Sequence, residues 1–409
     1  MVKRIILHIG TEKTGTSAVQ SYFTENRALY ERNGILYPRT PGHEVHRHLA
    51  AYAAADQKRD DLRRHLHIVS DGDLQQFRAT TQAALAAELD ETECETAIFS
   101  SEHCHSRLRS VDEIRCLYDL LSPLCDELQV IVYFRRQDQL ALSWYSTRVK
   151  SGFKNQVFFP EDKLSRLYYF DHWRIYRHWT QVFGEKAVTA RLFERELFVN
   201  GDLVEDLHEA AGLTVPEGRF LPKRRNESLS GLATEFLRLF NTVLPSHIDG
   251  LRNPEREGIV QFLEAHVPGA PFLPRRAEAQ AFMALFEEGN AALHDTLGLA
   301  DRPTLFEMDF SGYPEGEAGT GELKVSRDDV MHIAALLWLH GGDFRTRPAI
   351  AEPASKVPLG LVDALQSSAT SAAEPPDVNG STAPPPQPAP PAVHPTVPPT
   401  AAGDKGVSS

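Results

Sequence analysis

The chain has 409 residues, with 43 Lys and Arg against 56 Asp and Glu and a formal net charge of -13. That length can bury the core of one large or two ordinary domains. An acidic balance excludes a general nucleic-acid or heparin binder, because long polyanions need a broad basic field. A local basic pocket for one small anion stays compatible.

The first predicted element is a strand, the apolar run Ile5 to Ile9. Gly10-Thr11-Glu12-Lys13-Thr14-Gly15-Thr16-Ser17 follows it directly, and Gln20 to Leu29 reads as a helix. A strand–loop–helix turn of this kind aims backbone N–H groups and a helix N-terminus at one point, which suits an anion. Gly10 and Gly15 allow close backbone approach, Lys13 brings a mobile positive charge, and Thr14, Thr16 and Ser17 bring hydroxyl donors. The lysine precedes the second glycine, whereas a Walker A loop ends in Gly-Lys-Ser/Thr. That order argues against nucleoside triphosphate chemistry. An ordinary β–α turn would leave Lys13 unexplained.

Downstream, His43-Glu44-Val45-His46-Arg47-His48-Leu49-Ala50 gathers three histidines and a glutamate. Residues i and i+2 diverge on a helix, so His46 and His48 do not make a zinc pair, and no metal site is expected. Leu74 to Leu89 has helical leucine and alanine spacing. Thr96 to Ser100 reads as a buried strand, followed by Ser101-Glu102-His103 at what becomes the ligand edge of a parallel sheet. The four cysteines, Cys94, Cys104, Cys116 and Cys125, form no Cys-x-x-Cys pair and are expected as free, buried thiols. Ser110 to Leu121 opens with the capping box Ser110-x-x-Glu113.

Gln129 to Phe134 is a further buried strand ending in Arg135-Arg136, with Ser143 on the helical pattern Gln137 to Lys150. Guanidinium groups grip phosphate oxygens in a bidentate fork, and a serine on the next helix adds a hydroxyl. Arg136 can equally pair with a helix carboxylate. Phe170 to Phe183 is helical and Ala187 to Leu192 is the fourth strand. Strands alternating with helices predict an α/β fold, a parallel sheet flanked by helices. Beyond Leu192 the pattern is mostly helical: Leu203 to Ala211, Ser230 to Asn241, Ala277 to Leu297 and Asp328 to His340. Arg224, Arg225 and Ser228 precede the second of these, as phosphate contacts or as ordinary capping chemistry. Residues 1–345 are expected to form one domain. The Pro/Ala-rich stretch 350–409 has a composition that cannot offset its ordering entropy, so a disordered tail is expected.

The string His8 to Gln20 resembles the "HIG…KTGT[TS]…Q" opening of bacterial carbohydrate-type sulfotransferases, whose donor is 3′-phosphoadenosine 5′-phosphosulfate (PAPS). That family has a P-loop-type fold. In it a strand-end arginine and a serine eight residues on hold the donor's 3′-phosphate, which is the spacing of Arg135 and Ser143. The Arg224–Ser230 segment is similar to a late stretch of the family's core. The resemblance covers residues 1 to about 230 with specific motifs. It implies a metal-independent transferase moving a sulfuryl group to a hydroxyl, of a carbohydrate or glycolipid type. It further implies Gly10, Lys13, Thr14, Gly15, Thr16, Ser17, Arg135, Ser143, Arg224, Arg225 and Ser228 around the donor, with Lys13 catalytic. For the base, Glu102 and His46 come first and His103 behind them. A histidine titrates near neutrality, whereas a glutamate needs burial to raise it. Golgi relatives carry a membrane anchor. Here the apolar run after Lys3-Arg4 spans five residues, so a cytoplasmic location without a transmembrane segment is expected.

Overall fold

A computed structural model describes residues 1–160, 168–220, 229–248, 251–316 and 325–340. All lie within Met1–Pro348, the first of two units into which the chain divides. The expected end of the domain at 345, the tail 350–409, and Arg224, Arg225 and Ser228 lie outside the described residues.

Five strands form one parallel sheet: β1 (Val2–His8), β2 (Ile35–Leu36), β3 (Thr96–Ser100), β4 (Cys125–Phe134) and β5 (Val188–Leu192). Their order is β2-β3-β1-β4-β5. β1 lies at the centre, pairing Ile6 with Ile98 on one side and with Gln129 on the other. The period of two sends successive side chains to opposite faces. Ile5, Leu7, Ala97, Phe99, Val130 and Val132 join one buried cluster, and Ile6, Ile98, Ile131 and Tyr133 the other. Both faces are therefore covered by helices, as a parallel sheet requires. The helix Thr16–Glu25 packs Val19, Tyr22 and Phe23 on the second face, and His172–Phe183 buries Trp179 on the first.

The fold is the expected α/β class, with helices dominating beyond β5. Differences from expectation have local causes. β4 begins four residues before Gln129, because the polar, partly exposed Cys125–Leu128 carries no buried signal yet pairs with β1. β2 spans two residues, too few for any periodicity. The predicted helix Gln20 to Leu29 is two helices, Thr16–Glu25 and Arg27–Arg32, parted at Asn26, whose side-chain amide donates to Tyr22 O and Phe220 O. Likewise Ala277 to Leu297 divides into Arg276–Ala284 and Glu287–Thr296 around Phe286. The capping box at Ser110 and Glu113 is present in both directions. All four cysteines are free; Cys94 and Cys104 are buried, but Cys116 and Cys125 only half-buried, which corrects the expectation for that pair.

Candidate functional site

The carboxyl edge of β3, β1 and β4 opens into a cleft of about 740 Å³. That volume lies in the upper part of the range of ligand pockets, roughly 300–1,000 Å³. Its wall includes Lys13, Gly15, Thr16 and Ser17 from the loop after β1, Glu102 and His103 after β3, Arg135 after β4, and Ser143. Both predicted anion-binding segments and two of the three candidate bases thus share one cleft.

The loop is shaped by its surroundings. Gly15 sits at φ +74° as the residue before the helix Thr16–Glu25, and a Cβ there would meet Leu203 at 2.5 Å. Gly10, at φ +94°, lies against Glu102, where a Cβ would come within 3.2 Å of the Glu102 Cβ. Only glycine accepts both the positive φ and the close approach. Lys13 adopts φ +68° without being glycine, so its backbone is held by contacts around it. One of those is the Arg135 guanidinium, which donates from Nη1 to the Lys13 carbonyl at 3.1 Å. No carboxylate among the described residues lies within 4 Å of the Lys13 ammonium. Burial pushes the Lys13 pKa down and the charges of Lys150 and Arg135 add to that, while Glu12 and Glu102 pull it back up; the net direction is downward.

Arg135 and Arg136 diverge at the end of β4. Arg135 lines the cleft, its Nε is buried without a partner, and its guanidinium lies 5.7 Å from the Phe193 ring. Arg136 turns away: it forks onto Asp138 at 2.8 and 2.7 Å and donates to the carbonyls of Glu307 and Asp309. Asp138 is fully buried and also accepts from Tyr313 Oη at 2.8 Å. Charge-assisted bidentate geometry makes Arg136 a structural pair.

Among the described residues, three predicted site residues are not on the cleft wall. His46 is buried, with Nδ1 accepting from the Ser100 N–H at 2.9 Å and the other ring nitrogen, Nε2, facing the Pro38 carbonyl at 2.8 Å. The first bond fixes the tautomer, so Nε2–H donates to Pro38 and no lone pair is left for a substrate proton. Burial lowers its pKa to about 3. His46 as base is therefore a correction: it joins β3 to the start of the Arg47–Ala53 helix. Thr14 is buried and its hydroxyl donates to the Thr11 carbonyl at 2.6 Å, so that hydroxyl is not offered to a ligand. Gly10 shapes the turn from behind. By contrast Glu102 accepts from Gln20 Nε2 at 2.6 Å while facing the cleft, and His103 Nδ1 is buried without a partner.

No family model matches the chain. A stretch of 116 residues is 33% identical to an uncharacterized protein of Archaeoglobus fulgidus. It takes in 28% of this chain and 31% of that one, so the match spans about a third of the relative's length. Among solved structures, the chain is similar to a sulfotransferase from Alicyclobacillus acidocaldarius, with a TM-score of 0.37 and 17% identity over 58% of this chain and 95% of that one. It is also similar to the sulfotransferase domain from the curacin biosynthetic pathway, with a TM-score of 0.32 and 9% identity over 66% and 99% of the two chains. Likeness at this level leaves the chemistry to be argued from the cleft.

Several wall residues escaped the sequence reading. Gln139, Ser146, Thr147 and Lys150 lie on the helix Gln137–Lys150 with Ser143. Their spacing of about four and seven residues marks one polar helical face, a signal present in the sequence. Lys150 pairs with Glu264 at 2.6 Å. Tyr145, Phe158 and Phe272 form an aromatic wall, with ring centroids 4.4 and 5.0 Å apart. Phe158 and Phe272 come from irregular segments far apart in the chain, and nothing local announces them.

Proposed function

We propose that the chain is a sulfotransferase that moves a sulfuryl group from PAPS to a hydroxyl of a carbohydrate- or glycolipid-type acceptor, in the cytoplasm and with no metal ion. The observation that carries this reading is the shared cleft: the Lys13 loop and the Arg135–Ser143 wall face one space, as a donor with anions at both ends requires. In the reaction the acceptor oxygen bonds to sulfur as the bond from sulfur to the bridging phosphate oxygen breaks. The acceptor's proton passes to Glu102 or His103, and 3′-phosphoadenosine 5′-phosphate leaves. Lys13 neutralises the charge that grows on the leaving oxygen. The loop hydroxyls of Thr16 and Ser17 and the helix N-terminus behind Gly15 hold the 5′ end, while Arg135 and Ser143 take the 3′-phosphate. Positioning and preorganised charge supply most of the acceleration in such in-line transfers. Arg224, Arg225 and Ser228 complete the proposed donor site. An acidic chain with a few confined cations fits a small or neutral acceptor better than a polyanion or nucleic acid.

The test is thermal unfolding with ligand. At a hundred times its Kd, 3′-phosphoadenosine 5′-phosphate adds about 2.7 kcal/mol of apparent stability. It is expected to raise Tm where ATP with Mg²⁺ does not. The reverse result favours a P-loop kinase and ends the sulfotransferase reading. Lys13→Ala is expected to abolish turnover of PAPS with a glycan acceptor.

A further inference from the structure

Glu102 follows β3, yet the contacts that hold it come from the strand–loop–helix segment assigned to the donor. Gln20, buried on the helix Thr16–Glu25, donates from Nε2 to Glu102 Oε2 at 2.6 Å. The same amide nitrogen lies 3.5 Å from the Ser100 carbonyl, so both of its contacts are made at the end of β3. An ionised carboxylate only accepts, which fixes the side of the amide that Gln20 presents to it. Gly10 brings loop backbone against the same residue, and a Cβ built there would stand 3.3 Å from the Glu102 Cα. Just before it, the Ser101 N–H donates to the His8 carbonyl at 2.9 Å, and the Ser100 hydroxyl is bonded to His8 Nδ1 at 2.9 Å. The end of β3 is thus tied to β1 through the backbone and to the donor helix through one side chain. Burying an amide is costly unless its donors are used. The neighbours of Gln20 on that helix, Val19, Tyr22 and Phe23, are apolar core residues. An apolar side chain would suit that packing; the amide suits the carboxylate.

We propose that Gln20 is a positioning residue that makes Glu102, rather than His103, the group that takes the acceptor's proton. This rests on the sulfotransferase reading of the cleft. The amide occupies Oε2, and among the described residues the carboxylate makes no other hydrogen bond and no ion pair. Oε1 therefore keeps its full accepting capacity on a residue that lines the cleft. The proton passes from the acceptor oxygen to Oε1 as that oxygen bonds to sulfur. The electron pair of the breaking sulfur–oxygen bond leaves with 3′-phosphoadenosine 5′-phosphate. Gln20 lies at i+4 from Thr16 and i+3 from Ser17, one turn along the same helix. The helix whose first residues take the 5′ end of the donor thereby also aims the base. His103 has no such brace: its Nδ1 is buried without a partner, and no described residue hydrogen-bonds its ring. A general base must be held in reach of the proton before its basicity counts.

The experiment compares the full-length chain with Gln20→Met, which keeps length and bulk but removes the donor. Crystals of each read the aim directly. The Glu102 carboxylate is expected to hold one orientation in the unaltered chain and to turn from it in Gln20→Met; the same orientation in both overturns the proposal. Kinetics read the consequence, as transfer of a radiolabelled sulfuryl group from PAPS to methyl β-D-glucoside or to water. Gln20→Met is expected to lower kcat about ten- to a hundredfold, with KM for PAPS unchanged within about twofold. Combined with Glu102→Gln, the same change is expected to have no further effect, because it acts only through that carboxylate. A purely structural role gives equal losses in both backgrounds, and a base at His103 gives near-normal turnover in Glu102→Gln. Either result overturns the proposal, as does a chain that binds nucleotide but moves no label. If Gln20→Met does not fold, Gln20→Asn, whose amide falls one methylene short, takes its place. Binding of 3′-phosphoadenosine 5′-phosphate to the unaltered chain is measured alongside by calorimetry. If the nucleotide binds and Glu102 keeps its orientation in the variant, the positioning role fails and the donor reading stands. If the nucleotide does not bind, the donor reading fails, whatever the carboxylate does.

Discussion

The carboxyl edge of the sheet has a cleft side and a backing side, and each holds a residue of the same type in the opposite role. Arg135 faces the cleft and Arg136 is spent on Asp138. His103 faces the cleft with an unpartnered nitrogen, while both nitrogens of His46 are occupied. Thr16 lines the cleft and Thr14 bonds its own loop. What separates the members of each pair is not chemistry or neighbourhood in sequence but whether their hydrogen-bonding capacity is already used. A side chain whose donors and acceptors are satisfied inside the protein is scaffold. One held in place with capacity left over is available to a ligand.

The sharpest way to break this comparison is to exchange roles across it. Replacing the base that the proposed transfer requires is expected to slow turnover about 10²- to 10⁴-fold while the unfolding midpoint stays put. Glu102→Gln and His103→Asn compete for that effect. His46→Gln is expected to leave turnover per folded molecule within severalfold of normal. If His46→Gln instead shows the large kinetic loss with intact stability, its place on the backing side is wrong.

The arginines give the next largest contrast. Arg136→Ala leaves the fully buried Asp138 without its cation and is expected to cost about 3–5 kcal/mol of stability, read by urea denaturation. Arg135→Ala removes a side chain with capacity to spare. It is expected to lose little stability but to weaken 3′-phosphoadenosine 5′-phosphate by about ten- to a hundredfold, the worth of a charge-assisted contact. Equal affinities by calorimetry would dissolve the second anion site.

The smallest effect is a pH slope. Burial holds His46 and His172 to about 3, and His8 and His105 to about 4. The unfolded chain takes these protons first, near pH 6.5, so their contribution is complete above that value and is lost as pH falls toward 3–4. Denaturation midpoints are expected to drop between pH 7 and pH 5. His46→Gln should flatten that slope by up to about 1.4 kcal/mol per pH unit.

Much of this edge was legible in advance because its signals are local. An apolar run ending in Gly-x-x-x-x-Gly, or in Arg-Arg, reads as a strand delivering its last residues to one edge. The parallel sheet followed from four such runs. The division into cleft and backing was not legible, because it depends on partners distant in sequence: Ser100 for His46, and Glu307, Asp309 and Tyr313 around the Arg136–Asp138 pair. Local pattern gives the direction of the chain, and only tertiary contact tells which polar groups have been consumed. The aromatic wall of Phe158 and Phe272 is the extreme case, built from segments with no periodicity at all.

The bond from Arg135 to the Lys13 carbonyl makes one lever of what otherwise are two handles. On the proposed donor site, a phosphate held by that guanidinium would bear through this 3.1 Å hydrogen bond on the turn that carries the lysine. A nucleotide lacking the 3′ group would leave the turn braced by protein alone.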